Sequence, residues 1–152
     1  MTGISQFLSE DHRRCDDLFV AAERAVAGED WNTGVQCFDD FRAAAERHLA
    51  MEEQVLFAAY EAVAGAQGPS QVMRSEHEQM RALLADMTRA LQERAGATYL
   101  GLSETLLILV QQHNLKEEQI LYPLCDRVLA NGAEDLIARM RRVSAVAVTE
   151  PA

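Results

Sequence analysis

The chain has 152 residues, a formal net charge of −10, 49% hydrophobic and 25% charged residues. That length supports one domain with its own core and no need of staples, while the acidic balance leaves no basic stripe for nucleic acid and disfavours an anionic membrane surface. Aromatic and β-branched residues are sparse and Ala, Leu, Glu, Gln, Arg and Met plentiful, which favours helix.

Breaks at Gly28-Glu29-Asp30, Gly65-Ala66-Gln67-Gly68-Pro69, Arg94-Ala95-Gly96-Ala97 and Asn131-Gly132 separate four long stretches of helical periodicity. The first helix is predicted from about Ile4 to Ala27, with His12, Cys15, Phe19 and Ala22 along one stripe. The second is predicted from about Trp31 to Ala64, with Asp30 as N-cap and Phe38, Phe41, Ala45, His48, Glu52, Val55, Leu56 and Ala59 facing inward. The third, from about Ser70 to Arg94, carries Met73, His77, Met80, Leu84 and Met87. The fourth, from about Ala97 to Ala130, carries Leu102, Leu106, Leu109, His113, Glu117, Ile120 and Leu121. Pro123 is expected to kink or restart it, because proline removes an intrahelical hydrogen bond. A short fifth helix over Glu134–Val143 is expected to pack outside, and the tail from Ser144 to Ala152 to fray.

Long helices joined by short connections pack antiparallel. The expectation is therefore an all-α, up-down-up-down four-helix bundle: a single domain over residues 1–152, with the bundle over about 4–131 and a C-terminal segment over 133–152.

The halves repeat. His12 precedes His48 by 36 residues, and His77 precedes His113 by the same number; the whole set recurs at an offset of 65. Each second histidine opens the same phrase, HLAMEEQVLF from His48 and HNLKEEQILY from His113. Leu18 with Leu83, Phe41 with Leu106 and Leu56 with Leu121 align at the same offset. The halves should be related by a pseudo-two-fold axis.

Positions i and i+4 share a helix face, so His48 and Glu52 point the same way, as do His113 and Glu117. With His12 and His77 from the other helices, six side chains converge on the bundle core. A lone core histidine is usually a hydrogen-bonded neutral ring, but two carboxylates buried among four imidazoles in a dry core would cost several kcal/mol or be forced to protonate. A pair of cations removes that cost. The arrangement expected is His12 and His48 on one metal, His77 and His113 on the other, and Glu52 and Glu117 bridging, the ions roughly 3.5–4 Å apart. Imidazole with carboxylate suits iron or manganese. Glu53 and Glu118 also repeat. Rotated roughly 100° from Glu52 and Glu117, they are expected in solvent or behind the ligands. Asp16, one turn after His12, is expected to face water.

The odd cysteine count (Cys15, Cys37 and Cys125) and the absence of a CxxC pair argue against a disulfide framework or a thiolate zinc site; small buried side chains are expected. The N-terminus shows no basic-then-apolar leader, and Leu106–Val110 is too short to cross a bilayer, so a cytoplasmic location is the default expectation.

The His-x-x-x-Glu order, with a further histidine on each remaining helix, differs from the Glu-x-x-His of ferritin-like proteins. Over roughly Phe7 to Val128 the chain resembles the hemerythrin-like, or HHE cation-binding, family. The resemblance implies a four-helix bundle with a non-haem centre of two iron ions, iron ahead of manganese, that meets oxygen, nitric oxide, peroxide or an azide-like anion. Oxygen-carrying hemerythrins place His-x-x-x-His on the third helix and a bridging aspartate on the fourth. Here Arg81 follows His77 at i+4, Glu117 takes the bridging position, and there is no fifth histidine. A more symmetric site is implied, with open positions on both metals. The expected function is a di-iron protein that binds, senses or reacts with such a small molecule, or with iron. One alternative is a di-iron peroxidase or catalase-type enzyme, with Tyr99, Tyr122 or Glu118 as proton donor. A second is a helical interaction module without metal chemistry.

Overall fold

Helix α1 (Ile4–Ala27) begins on the Asp126 carboxylate, which accepts from the backbone N–H of Ile4 at 2.9 Å and of Ser5 at 3.4 Å. This capping joins the first helix to the end of the bundle and satisfies donors that a helix start leaves unpaired. The computed structural model describes residues 3–144, and the tail beyond Ser144 lies outside them. Next come α2 (Trp31–Met51), a π-helical turn over Glu52–Leu56 and α3 (Phe57–Ala64), forming one continuous rod. Helix α4 (Pro69–Gln92) leads to a second composite rod: α5 (Gly96–Lys116), a π turn over Glu117–Leu121 and α6 (Tyr122–Val128). A 3-10 turn (Ala130–Gly132) connects to α7 (Ala133–Arg141). The described residues hold no strand, and the all-α helical bundle expected from the sequence is what the chain forms.

The two hairpin turns repeat as well. Glu29 and Arg94, at the same offset of 65, both adopt left-handed φ, 57° and 52°. After them Asp30 N–H bonds to Ala25 O at 2.9 Å, and Ala95 N–H to Ala90 O at 2.8 Å. Asp30 then caps α2 by accepting from Thr33 N–H, as expected. The link between the halves is different: Gly65 and Gly68 take φ of 91° and 126°, values that favour glycine.

The irregularity expected at Pro123 lies one turn earlier and has another cause. In the π turns Phe57 N–H bonds to Glu52 O and Tyr122 N–H to Glu117 O, each five residues back. No proline follows the first of them, so the shared phrase Glu-Glu-Gln-(Val/Ile)-Leu, not the proline, accompanies the π geometry. The extra residue rotates the remainder of each rod and re-aims the aromatic at the next position.

The apolar core comes in two parts. One contains Phe19, Phe38, Phe41, Leu84, Met87, Tyr99 and Leu106. The other contains Ile4, Leu8, Met51, Leu56, Phe57, Met73, Leu121 and Tyr122, together with Leu136, Ile137 and Met140 of α7. Burying each such side chain contributes about 1.5–3 kcal/mol. Helix α7 packs on the π turn of the first half, Glu52–Leu56. Val55 packs in its cluster at 5% exposure, whereas its repeat partner Ile120 is 59% exposed and does not join the inward stripe expected of it.

Candidate metal centre

All six expected side chains are buried: His12, His48, Glu52, His77, His113 and Glu117 are each 5% exposed or less. They converge in two four-membered groups, His12, His48, Glu52 and Glu117 in one, and His77, His113, Glu52 and Glu117 in the other. Within each group, one donor atom from every residue lies within 4.8 Å of the rest. The imidazoles pair by half, His12 with His48 at a ring separation of 4.5 Å and His77 with His113 at 5.0 Å. The carboxylates reach across. Glu117 sets Oε1 3.1 Å from His12 Nε2 and Oε2 3.1 Å from His113 Nε2. Glu52 Oε1 lies 3.1 Å from His77 Nε2 and 3.6 Å from His48 Nε2.

Every imidazole is held from behind by a carboxylate. Nδ1–H of His48 donates to Asp11 at 2.8 Å and that of His113 to Glu76 at 2.8 Å. His12 donates to Glu118 at 2.7 Å and His77 to Glu53 at 2.8 Å. A proton fixed on Nδ1 leaves the Nε2 lone pair facing the cluster, the tautomer a metal needs. The alternative of Glu53 and Glu118 behind the ligands is the one the structure adopts. Asp11 and Glu76 were not anticipated, although each directly precedes a repeated histidine and they too lie 65 apart.

Arg81, standing where oxygen carriers place a histidine, serves a carboxylate instead. Its guanidinium donates to both oxygens of Glu53, at 2.8 and 3.0 Å, and to Glu46 at 3.1 Å. Burial would raise the Glu53 pKa, but the His77 and Arg81 hydrogen bonds bring it down to about 2. Asp16 is exposed and joins neither group.

The electrostatics favour a cation. Burial alone would lower the His77 pKa, yet Glu52 and Glu53 push it up to about 9. His48 and His113 are raised against burial in the same way, by Glu52 with Asp11 and by Glu117 respectively. Burial would raise the Glu52 carboxyl, but His48 holds it well below the ordinary carboxylate range. A carboxylate field strong enough to hold protons on buried imidazoles also attracts a metal ion. The decisive fit is local: Glu52 Oε1, His77 Nε2, His113 Nε2 and Glu117 Oε2 are buried with no hydrogen-bond partner, although they face one another at ion-pair distances. Poorly aligned at 3.1 Å, these pairs recover only part of the cost of burying their polar atoms. A cation among them removes that cost, so the residues present fit a metal.

Tyr122 brings a hydroxyl to the cluster. Fully buried, it donates to Glu52 Oε2 at 2.5 Å and lies 3.0 Å from Glu117 Oε1. Burial, Glu117 and Glu52 all keep it protonated, well above its ordinary range. Tyr99, the other tyrosine considered as a donor, packs in the far apolar cluster with its ring against Phe38.

An apolar cavity of about 60 Å³ adjoins the cluster and touches His12, His48 and His113. Phe19, Phe41, Leu84, Leu106 and Val110 form much of its wall. Cys15 also lines it, and burial pushes that thiol up to about 11, so it stays protonated and unreactive near neutral pH. Among the described residues no helix is long and apolar enough to cross a membrane.

The family model for the hemerythrin HHE cation-binding domain matches residues 3–125. No curated protein and no solved structure matches the chain. Domains of that family bind metal cations and, through the metal, small ligands.

Proposed function

We propose that this chain, which belongs to the hemerythrin HHE cation-binding family, is a single-domain protein that holds two iron ions and binds or senses a small molecule such as oxygen, nitric oxide or peroxide. One observation carries the reading: six buried donors fall into two four-membered groups that share Glu52 and Glu117. Two imidazoles and two shared carboxylates per ion is a mixed nitrogen and oxygen set that suits iron. It also falls short of the six donors an octahedral ion takes, leaving room for an exogenous ligand.

Iron in those positions supplies open coordination sites and a one-electron redox change. The chain's own residues do the rest. Asp11, Glu76, Glu53 and Glu118 keep the four imidazoles in the tautomer that presents Nε2. Glu52 and Glu117 tie the two halves to a common centre. The apolar cavity favours a small, weakly hydrated guest over water, since its wall offers few hydrogen-bond partners. Tyr122 places its hydroxyl proton at the cluster, beside Glu52 and Glu117, within reach of a small guest bound there. That hydroxyl favours peroxide turnover as the second reading.

The test is iron analysis and an optical spectrum of protein expressed in iron-replete medium, before and after azide, peroxide and nitric oxide. About two irons per chain and spectral changes with the added ligands are expected. Iron-free protein that does not take up iron on reconstitution would refute the proposal.

A further inference from the structure

Resting on the two-metal reading, we infer that the two cation positions are inequivalent and load in order: the His77–His113 position first and the His12–His48 position second, because the Tyr122 hydroxyl already engages the donors of the latter.

The repeat makes the comparison internal. At the offset of 65, Tyr122 corresponds to Phe57. The two rings sit alike, Phe57 stacked on His77 at 5.6 Å and 26°, Tyr122 on His12 at 5.6 Å and 25°. What differs is one oxygen. The Tyr122 hydroxyl lies 2.5 Å from Glu52 Oε2, 3.0 Å from Glu117 Oε1, 3.2 Å from His12 Nε2 and 3.4 Å from His48 Nε2. It touches one donor atom of every member of the first group. An ion held by those nitrogens and carboxylate oxygens would compete with that hydroxyl for the centre of the group.

The second group is in the opposite condition. One atom from each of its members, Glu52 Oε1, His77 Nε2, His113 Nε2 and Glu117 Oε2, is buried without a hydrogen-bond partner. A cation there replaces only the 3.1 Å approaches of His77 to Glu52 and of His113 to Glu117, which have their counterpart in the first group, and meets no further group among the donors. A cation in the first group must dislodge a phenol bonded to a carboxylate, and Tyr122 is fully buried, so the released hydroxyl cannot turn to water instead. Losing one charge-assisted hydrogen bond weakens binding by about tenfold or more.

The test is titration of metal-free protein with Co²⁺, read by ligand-field absorbance and calorimetry. Wild type should bind one equivalent tightly and the second at least about tenfold more weakly. His77→Ala/His113→Ala should remove the tight step and His12→Ala/His48→Ala only the weak one. Repulsion between two ions sharing carboxylates also separates the steps, so Tyr122→Phe decides. It copies the residue already present at the equivalent position, and it should tighten the second step about tenfold while leaving the first unchanged. Phe57→Tyr should weaken the first step, and carries the test if Tyr122→Phe fails to fold. Equal affinities in wild type overturn the inference. So does a folded Tyr122→Phe whose second step is unchanged or weaker, since the hydroxyl would then not obstruct binding. A protein that takes up neither equivalent would instead sink the two-metal reading on which the order depends.

Discussion

The Asp11 carboxylate accepts from His48 Nδ1–H across a helix boundary at 2.8 Å, and Glu76 repeats the contact on His113 at the same distance. Neither acid can coordinate in place of the histidine it precedes, because adjacent residues on a helix point roughly 100° apart. Their reach is to the neighbouring helix, where they set the protonation pattern of that helix's imidazole.

Replacing Asp11 by Asn or Glu76 by Gln should therefore cost metal affinity without costing the fold. The amide can donate to Nδ1 and so favour the tautomer with its proton on Nε2, the wrong one for binding. A loss of about 10–100-fold is expected for each, the range seen for such outer partners. Chelator competition measures it, with circular dichroism confirming unchanged helix content. Affinity within a factor of two of wild type in both variants would show that these carboxylates do not orient the rings.

Glu52→Ala should act through the metal. In metal-loaded protein we expect loss of bound metal and a melting temperature lower by roughly 5–10 °C, the scale of removing a ligand present at about 100 times its Kd from a chain of this size. In metal-free protein the loss should be smaller, because the change deletes a fully buried carboxylate and leaves the Tyr122 hydroxyl with Glu117 as an alternative acceptor. Parallel melts with and without metal separate the cases, and equal losses in both would contradict a metal-linked role.

Val110→Phe extends a ring into the apolar cavity beside His12, His48 and His113. Binding of nitric oxide to the metal-loaded protein should slow by about tenfold, a barrier of ~1.4 kcal/mol, while metal content stays at the wild-type level. Stopped-flow absorbance reads the rate. An unchanged rate would mean that ligands reach the centre by another path.

The link between the halves offers a pH prediction remote from the donors. Glu61 accepts from Ser70 Oγ at 2.7 Å and from Arg74 at 2.9 and 3.0 Å. The Arg74 hydrogen bonds hold its pKa below the ordinary 4.5. A depressed carboxyl stabilises the fold above the unfolded value and loses that contribution as pH falls through the folded one. Glu61→Gln should lower the melting temperature by about 2–4 °C at pH 7, for about 1 kcal/mol in a partly exposed network. The gap from wild type should close below about pH 4.5. A gap independent of pH would place the effect in packing, not charge.

The bundle and the six converging donors were legible because both are written in spacings: 3.6-residue stripes, breaks between them and an offset of 65 that recurs in every donor. What lay behind the donors was harder to see. Asp11 and Glu76 act between helices, and a single-helix projection places them beside solvent; the only trace was that each carries the same offset as the histidine after it. The π turns left no periodic signal, since one inserted residue merely shifts the phase, and Pro123 drew attention one turn too far along. Ile120 read as core by its pattern, yet α7 covers only its counterpart Val55. Tyr122 was a candidate among three, and nothing in its spacing separated it from Tyr99, which the fold places in the opposite cluster.

Each four-membered group takes two imidazoles from one hairpin, while Glu52 comes from the first hairpin and Glu117 from the second. Neither hairpin can therefore complete a group by itself. A chain severed at the Gly65–Gly68 connection would yield fragments that each hold three of the six donors, and whatever ion they captured would act as the rivet between them. Metal supply would then add its hold to that of the two apolar clusters, which already draw on both fragments, in keeping the parts one object.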